Sequence, residues 1–269
     1  MNEPKAKILV VLVGASGNIG RILGHRLARE PQMRLVTCGR KHVPGEFSHI
    51  PWAFGSAFPV EVIYGYGYGC ENTFIINASI AWPTNSKDVE LSLSALDKIC
   101  GGIGYKNRLI HISSMSAAST SFTFYATLKR EEERMVLASH QVIIRVGIVD
   151  SEPPFGLKSL LLKLARLLKF VPVPFSDAKV KITTSEDIVR DVFSVILSPA
   201  PGQYIHECCS WEGDFYEAIR KLLPDTRLFK LNNYLCLSVA VVVRFVAKGS
   251  SLSQRIDGIL ALRDKGSHK

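Results

Sequence analysis

The stretch that decides the fold is residues 7–20, which read KILVVLVGASGNIG. Its first half is almost wholly aliphatic, as is typical of a strand buried on both faces of a parallel sheet. Three glycines follow with the spacing GxxGxxG, and the residues after them carry an apolar face at helical spacing. A strand, a glycine-rich turn and an amphipathic helix in this order predict the first unit of a dinucleotide-binding domain.

The glycines of this turn have distinct expected roles around a pyrophosphate. Gly14 allows the tight turn, Gly17 lets the backbone approach the phosphates, and Gly20 lets the helix pack on the strand. The helix N-terminus adds free N–H groups and the positive end of the helix dipole. We therefore expect the cofactor contacts of the turn to be Gly14, Ser16, Gly17, Asn18, Ile19 and Gly20.

Strand-like and helix-like segments alternate along the first 150 residues, which predicts an α/β fold with a doubly wound parallel sheet (a Rossmann fold). We expect further strands at residues 34–40, 60–65, 73–79, 108–114 and 141–149, and helices at residues 18–30, 86–100 and 124–139.

The pattern changes after Asp150, where SEPPFG forms a turn-rich linker. We expect helices at residues 159–170, 184–197 and 214–223, with Ser185 as N-cap of the second, and a short strand at residues 203–208. We predict a dinucleotide-binding domain of residues 1–150. Residues 151–269 would form mostly a small C-terminal substrate lobe, with parts returning to the sheet.

The residues after the second predicted strand bear on the choice of nicotinamide cofactor. NAD-binding domains place Asp or Glu there to hold the ribose 2′-hydroxyl. Here Arg40 and Lys41 stand instead, and such cations suit the 2′-phosphate of NADP. We expect NADP, with NAD as the alternative. The competing interpretation is that Arg40 and Lys41 are a solvated loop.

Tyr125 is the only one of eight tyrosines with a lysine four positions on, in YATLK. On a helix these two side chains share a face. The Lys129 ammonium would favour the phenolate of Tyr125, which could then exchange a proton with a substrate oxygen. Ser114, at the end of a predicted strand, offers a hydroxyl that can hold a substrate carbonyl. Ser113 and Ser116 are the alternatives.

In this order, GASGNIG, the strand end HISS and YATLK resemble the extended and atypical branch of the short-chain dehydrogenase/reductase superfamily, which includes epimerases, dehydratases and sugar-nucleotide reductases. The resemblance implies that Ser114, Tyr125 and Lys129 are catalytic, and that Lys129 also reaches the nicotinamide ribose. It implies further cofactor contacts at Asn77, Ala78, Ser79 and Val146.

Two departures from the family pattern narrow the expected reaction. Tyr125 follows Ser114 by only 11 positions, which is shorter than in sugar-nucleotide epimerases. Met115 and Ser116 stand where sugar-nucleotide dehydratases carry an Asp-Glu pair, so a dehydratase is disfavoured. We expect an NADP-dependent oxidoreductase acting on a carbonyl or alcohol, on a nucleotide-linked sugar by family analogy. An epimerase with retained cofactor and a non-catalytic NADP-binding sensor are the alternatives.

Composition sets the remaining expectations. The net charge of +9 is spread along the chain without a basic, aromatic-rich stripe, so we expect a small-molecule substrate and no nucleic acid. The six cysteines lack metal-ligand spacing, and His206 with Cys208 and Cys209 makes a poor metal site, so we expect no metal. His111 is expected to be a packing residue that faces away from the serines.

The longest apolar run, residues 234–243, is about half the length of a membrane span. We expect no transmembrane segment, no signal peptide, a cytoplasmic protein, and only a small chance of peripheral membrane contact. The same run could serve a homodimer interface.

Overall fold

The computed structural model describes residues 7–45, 47–79, 83–103, 107–119, 123–174, 179–198 and 202–231. The strands in chain order are β1 (Ile8–Val13), β2 (Met33–Gly39), β3 (Ser48–Pro51), β4 (Asn72–Asn77), β5 (Asn107–Ser114), β6 (Val142–Val146), β7 (Ile148–Asp150), β8 (Val171–Pro174), β9 (Lys179–Thr184), β10 (Tyr204–Cys208), β11 (Trp211–Asp214) and β12 (Leu228–Leu231). The helices are α1 (Asn18–Leu27), α2 (Val60–Tyr66), α3 (Ser86–Gly101), α4 (Phe124–Ala138), α5 (Gly156–Leu168), α6 (Ser185–Leu197) and α7 (Phe215–Leu222), and a 3₁₀ turn spans Met115–Ala118.

Among the described residues, seven parallel strands form the main sheet, in the order β10-β6-β5-β4-β1-β2-β3. This is the strand order of a doubly wound dinucleotide-binding sheet, extended by β10 at one edge. One face is covered by α1 and α6, and the other by α2, α3 and α4. The aliphatic β1 is at most partly exposed at its first residue and buried thereafter, because helices cover both faces.

The carboxyl ends of these parallel strands lie along one edge of the sheet, where ligands of such folds bind. Above that edge lies a smaller layer made of the sheet β11-β9-β7, the pair β12-β8, and helices α5 and α7. Its apolar cluster includes Val173, Ile182 and Phe215, and is separate from the two clusters of the main sheet. The predicted division at residue 150 stays a prediction. The α6 helix packs on α1, and β10 pairs with β6 of the main sheet.

The structure corrects the predicted third strand. Residues 60–65 lie in helix α2, and the third strand of the sheet is β3. The segment VEVIYG is rich in strand-forming residues, yet only Ile63 of α2 is buried while Val62 and Tyr64 are half exposed. This exposure pattern is that of a surface helix, with one buried residue in its seven positions.

Two further predictions need correction. The predicted strand 141–149 is two strands, β6 and β7, which belong to different sheets. Gly147 separates them: a Cβ there would collide with the Lys181 carbonyl, and its N–H donates to Thr183 Oγ1 over 2.8 Å. The N-cap of α6 is Thr184 rather than Ser185, and Thr184 forms a capping box with Asp187.

Candidate functional site

A cavity of about 1100 Å³ lies at the carboxyl edge of the main sheet. The glycine-rich turn after β1 lines one side, and Ser114 and Tyr125 line another. Its residues predicted from the sequence are Gly14, Ser16, Gly17, Asn18, Ile19, Arg40, Lys41, Ala78, Ser79, Ser114, Ser116, Tyr125 and Val146. One cavity thus joins most of the predicted cofactor residues to two of the three predicted catalytic residues.

The glycine-rich turn has the form of a phosphate cradle. Gly14 has φ +82°, and a Cβ there would lie 2.6 Å from the Ser79 backbone, so this position requires glycine. Gly17 is the N-cap of α1 and supplies no capping side chain, and the first turn of α1 has no acidic residue. The Gly14 and Gly17 N–H groups donate to the carbonyls of Cys38 and Gly14. The N–H groups of the first turn of α1 have no partner within the helix, so they suit an anion at the positive end of the helix.

Arg40 and Lys41 are exposed and line the cavity at the end of β2. Trp52, which follows the adjacent β3, lines the same part of the cavity and packs edge-on against Phe54 and Phe58 with ring centroids 5.6 and 5.5 Å away. This end of the cavity therefore combines two cations with an aromatic wall. Such a combination suits a phosphate-bearing nucleoside.

Ser114 and Tyr125 meet at the cavity wall, held by two different elements. Ser114 ends β5, and its Oγ accepts a hydrogen bond from Ser116 Oγ over 3.1 Å. Tyr125 lies in the first turn of α4, whose N-cap Thr123 accepts from the Ala126 N–H. Burial raises the pKa of the Tyr125 phenol, and Lys129 and a hydrogen bond with Ser114 lower it without cancelling that rise.

Three predicted site residues do not line the cavity. Gly20 is buried where α1 packs against the turn, which agrees with a packing role. Asn77 is buried below Ser79, whose N–H and hydroxyl both donate to Asn77 Oδ1 over 3.1 and 2.5 Å. Lys129 is only 1% exposed, and its Nζ lies 2.7 Å from Glu132 Oε2. Contact of Lys129 with a ribose stays a prediction.

The prediction that His111 faces away from the serines holds for Ser114 and is wrong for Ser113. His111 and Ser113 have the same strand parity, and both point toward α4: His111 lies against Glu132, and Ser113 Oγ donates to Glu133 Oε1 over 2.6 Å. Glu133 also forms a close ion pair with Arg145, 2.6 Å apart. The Ser113 hydroxyl is therefore buried and bonded to Glu133, while Ser114 faces the cavity.

Several cavity residues escaped the sequence analysis. Trp52 and Phe54 follow the strand β3 that was missed, and Phe155 precedes α5. Lys181 and Glu207 stand at the far side of the cavity and form an ion pair over 2.5 Å. The alternation in KVKI at residues 179–182 was a usable signal for β9, and hence for the placement of Lys181.

His206 bonds Asp191 over 2.8 Å, and Cys208 is buried beside it. Within the described ranges, no set of three or more His, Cys, Asp or Glu side chains is placed to hold a metal ion. No helix in the part of the chain that the structure describes has the length and apolar character for a membrane crossing. The apolar run 234–243 lies outside the described residues.

The fold has counterparts among solved structures. The terminal R domain from the myxalamid PKS-NRPS biosynthetic pathway matches with a TM-score of 0.72 at 13% identity, over 98% of this chain and 80% of that chain. A nucleoside-diphosphate-sugar epimerase from Staphylococcus aureus matches with a TM-score of 0.64 at 17% identity, over 96% and 92%. MoeE5 in complex with UDP-glucuronic acid and NAD matches with a TM-score of 0.61 at 16% identity, over 83% and 85%.

These matches confirm the predicted Rossmann fold, and at such low identity they show the fold alone. No protein-family model matches the sequence. None of the curated proteins is significantly similar to it.

Proposed function

We propose that the chain is an NADP-dependent oxidoreductase that interconverts a carbonyl and an alcohol through Ser114, Tyr125 and Lys129. The observation that carries this proposal is the single cavity that joins the glycine-rich turn, the Arg40–Lys41 pair and the Ser114–Tyr125 wall. A cofactor laid on the turn and a substrate held at Ser114 would then share one space. The similar solved structures, which include an epimerase and a complex with NAD, support this choice of class.

The chain's own residues would handle the proton and the substrate oxygen. The nicotinamide, when bound, supplies or accepts the hydride. In reduction, Tyr125 gives its phenolic proton to the carbonyl oxygen while the Ser114 hydroxyl holds that oxygen by a hydrogen bond. The raised pKa of Tyr125 keeps the phenol protonated at neutral pH, so the resting site is prepared for reduction.

The preference for NADP rests on charge at the end of β2. Arg40 and Lys41 present two cations to the cavity, and no Asp or Glu stands in β2 or at these two positions. A 2′-phosphate would gain charge-assisted hydrogen bonds from them, whereas a 2′-hydroxyl would lack the carboxylate that usually accepts its proton. NAD remains the alternative cofactor, since MoeE5 was solved with NAD.

The substrate end of the cavity favours a polar molecule such as a nucleotide-linked sugar. Lys179 and Lys181 of β9, Glu207 of β10 and Glu212 of β11 line the cavity, and we assign this wall to the substrate because it offers hydrogen bonds to hydroxyl and phosphate groups. An epimerase with retained cofactor is the second candidate, because a nucleoside-diphosphate-sugar epimerase has the same fold over 96% of this chain.

The test of cofactor binding uses the chain's own fluorescence. Trp52 lines the cavity, while Trp211 packs in the C-terminal apolar cluster and is not a lining residue. Bound NADPH should quench tryptophan emission and gain sensitised emission of its own. Trp52→Phe should lower the sensitised signal, and the third tryptophan of the chain, Trp82, which lies outside the described residues, is replaced by Phe in both samples compared. Absence of any NADPH or NADH signal in the unmodified protein would overturn the proposal.

Turnover then separates the two reaction classes. We expect protein supplied with NADPH and a panel of nucleotide-linked keto sugars to oxidise NADPH, seen as a fall in its absorbance. An epimerase would instead purify with tightly held cofactor and consume no added NADPH.

A further inference from the structure

Behind the cavity wall, four polar side chains form a continuous buried row. Lys129 and Glu132 come from α4, His111 from β5 and Asn77 from β4, with exposures of 1%, 5%, 0% and 3%. Glu132 Oε2 lies 2.7 Å from Lys129 Nζ and 3.3 Å from His111 Nε2. His111 Nδ1 lies 3.2 Å from Asn77 Nδ2, completing the row.

The hydrogen bonds of Asn77 fix the protonation of the row. The Ser79 backbone N–H donates to Asn77 Oδ1, so the amide nitrogen of Asn77 must face His111. That nitrogen donates to His111 Nδ1, which leaves the imidazole proton on Nε2, toward Glu132. His111 is thus neutral, with the tautomer in which Nδ1 accepts.

The charged members of the row are Lys129 and Glu132, and each keeps the other charged. Burial alone would lower the pKa of Lys129, but Glu132 raises it above its usual value. Burial would raise the pKa of Glu132, yet Lys129 and His111 hold it at about 2. Among the described residues, neither His111 Nε2 nor Glu132 Oε2 has a hydrogen bond of standard geometry, so these contacts are close electrostatic ones.

We propose that Glu132 and His111 are positioning residues for Lys129: Glu132 holds its ammonium charged inside the protein, and His111 contacts that carboxylate and connects it, through Asn77, to the strand end that carries Ala78 and Ser79. This inference rests on the proposed function, because that proposal makes Lys129 the partner of Tyr125 and of the bound cofactor. Glu132 lies outside the YATLK motif, so nothing in the sequence pattern assigns it a role.

The connection reaches the cavity at Ser79. Ser79 lines the cavity and bonds Asn77, Asn77 contacts His111, and His111 contacts the carboxylate that holds Lys129. A cofactor that contacts Ser79 would therefore lie one hydrogen bond away from Asn77, the end of the row opposite Lys129. Lys129 Nζ is also 3.4 Å from the Ile112 carbonyl oxygen, which fixes it from the strand side.

His111 offers a probe of this arrangement near neutral pH. The charged groups that act on it are Lys129, Glu132 and Glu133 of α4, and Asn77 of β4 is its polar neighbour. Glu133 is already paired with Arg145 and accepts from Ser113, so Glu132 is the carboxylate closest to His111. Removing the Lys129 charge should make His111 the counter-ion of Glu132.

The experiment is ¹⁵N NMR of the full chain, with His111 assigned among seven histidines by its loss in His111→Gln. In the unmodified protein we expect the neutral Nε2–H tautomer at neutral pH, because burial lowers the pKa of His111. In Lys129→Met, the His111 titration should move to higher pH, because the Lys129 charge lowers the pKa of His111. In Lys129→Met with Glu132→Gln, His111 should stay neutral.

The matched control is Glu131→Gln, on the same helix, because the Glu131 side chain is 42% exposed and pairs with the exposed Arg134. It should leave the His111 signal unchanged. An Nδ1–H tautomer in the unmodified protein, or a His111 that ignores Lys129→Met, would overturn the inference. If Lys129→Met does not fold, the tautomer of the unmodified protein still decides.

The direction in which the pKa of Tyr125 moves is an independent test, measured by ultraviolet titration with Tyr125→Phe as the reference. If Glu132 keeps Lys129 charged, Glu132→Gln raises the pKa of Tyr125, because Lys129 lowers that pKa more than Glu132 raises it. If Glu132 is only a nearby negative charge, the same variant lowers the pKa of Tyr125 and the inference is wrong.

NADPH titration of the same unmodified sample separates the two proposals. Failure to bind NADPH or NADH would contradict the proposed function and would leave the His111 result unaffected.

Discussion

The environment of Tyr125 suits the proton donor that we propose it to be, because the raised pKa keeps its phenol protonated at neutral pH. Its phenol is in contact with Ser114 and close to the Lys129 charge, but burial has the largest effect and raises its pKa above the usual value near 10. The Lys129 charge is itself shared with Glu132, only 2.7 Å away. The pKa of Tyr125 therefore lies above neutral pH, and its charge state should be constant through the physiological range.

Substituting Tyr125 with phenylalanine removes only the hydroxyl that would carry the proton. We expect Tyr125→Phe to lower the reduction rate by roughly 10²- to 10⁴-fold, the usual contribution of a general acid. NADPH affinity should stay within about twofold, since the phosphate cradle is untouched. Steady-state kinetics and fluorescence titration measure the two effects. Tyr68→Phe is the matched control, because Tyr68 is 88% exposed and is not a cavity residue.

The pH dependence of reduction follows from the same pKa. A proton donor is active below its pKa, and the pKa of Tyr125 is raised, so reduction should be lost only as the pH rises above about 10. Lys129→Met removes the nearby charge that lowers this pKa and should move the loss to higher pH still. A rate profile that falls between about pH 6 and 8 in the unmodified protein would assign the proton to another group.

At the scale of elements, the sequence predicted the strands and helices with a clear hydrophobic period. It missed those that depend on contacts between distant parts of the chain. The aliphatic β1 and the apolar face of α1 have clear periods, and both lie where expected. The strand β3 has four residues and a single buried one, too short for any alternation to show. Gly147 divides the predicted strand 141–149 because the β9 backbone packs closely against it at Lys181. The local sequence pattern does not predict this contact.

The candidate site was predictable to a similar extent. Ser114 and Tyr125 stand at the cavity because strand ends and helix starts of this fold converge there. The depth of Lys129 was not predictable, because it depends on Glu132, and an i, i+3 pair on a helix is usually a surface feature. Only the packing of α4 on β5 places that pair inside the protein.

The capping box of α6 gives a prediction at the same scale. Thr184 accepts from the Asp187 N–H and donates to the Asp187 carboxylate, so Thr184→Ala should cost about 1 kcal/mol of unfolding free energy. Ser185→Ala, one position further on, should cost almost nothing, because Ser185 is the first helical residue and not the cap. Denaturant midpoints of the two variants measure the difference.

Acid should reduce the difference between these two variants. The pKa of Asp187 is lowered to about 2 in the folded protein, from an unfolded value near 3.8. The Asp187 contribution is thus complete above about pH 4 and disappears as the pH falls toward 2. Equal midpoints for Thr184→Ala and Ser185→Ala at neutral pH would mean that this capping box contributes nothing to stability.

For the molecule as a whole, the cavity lies where the main sheet meets the smaller C-terminal layer, so a bound cofactor should stabilise the folded state. Binding to the native state alone contributes about 2.7 kcal/mol when the ligand is present at 100 times its Kd. A chain of this size should then show a rise in Tm of roughly 5–10 °C. At equal concentrations NADPH should raise the Tm more than NADH.

The difference between the two cofactors should depend on the cations at the end of β2. Arg40→Ala with Lys41→Ala should reduce the NADPH shift toward that of NADH, because only NADPH carries the 2′-phosphate. Lys87→Ala with Lys163→Ala changes the net charge equally at positions that do not line the cavity, and should leave the NADPH preference intact. If both double variants lose the preference equally, the effect is one of net charge, and the placement of the 2′-phosphate beside Arg40 is wrong.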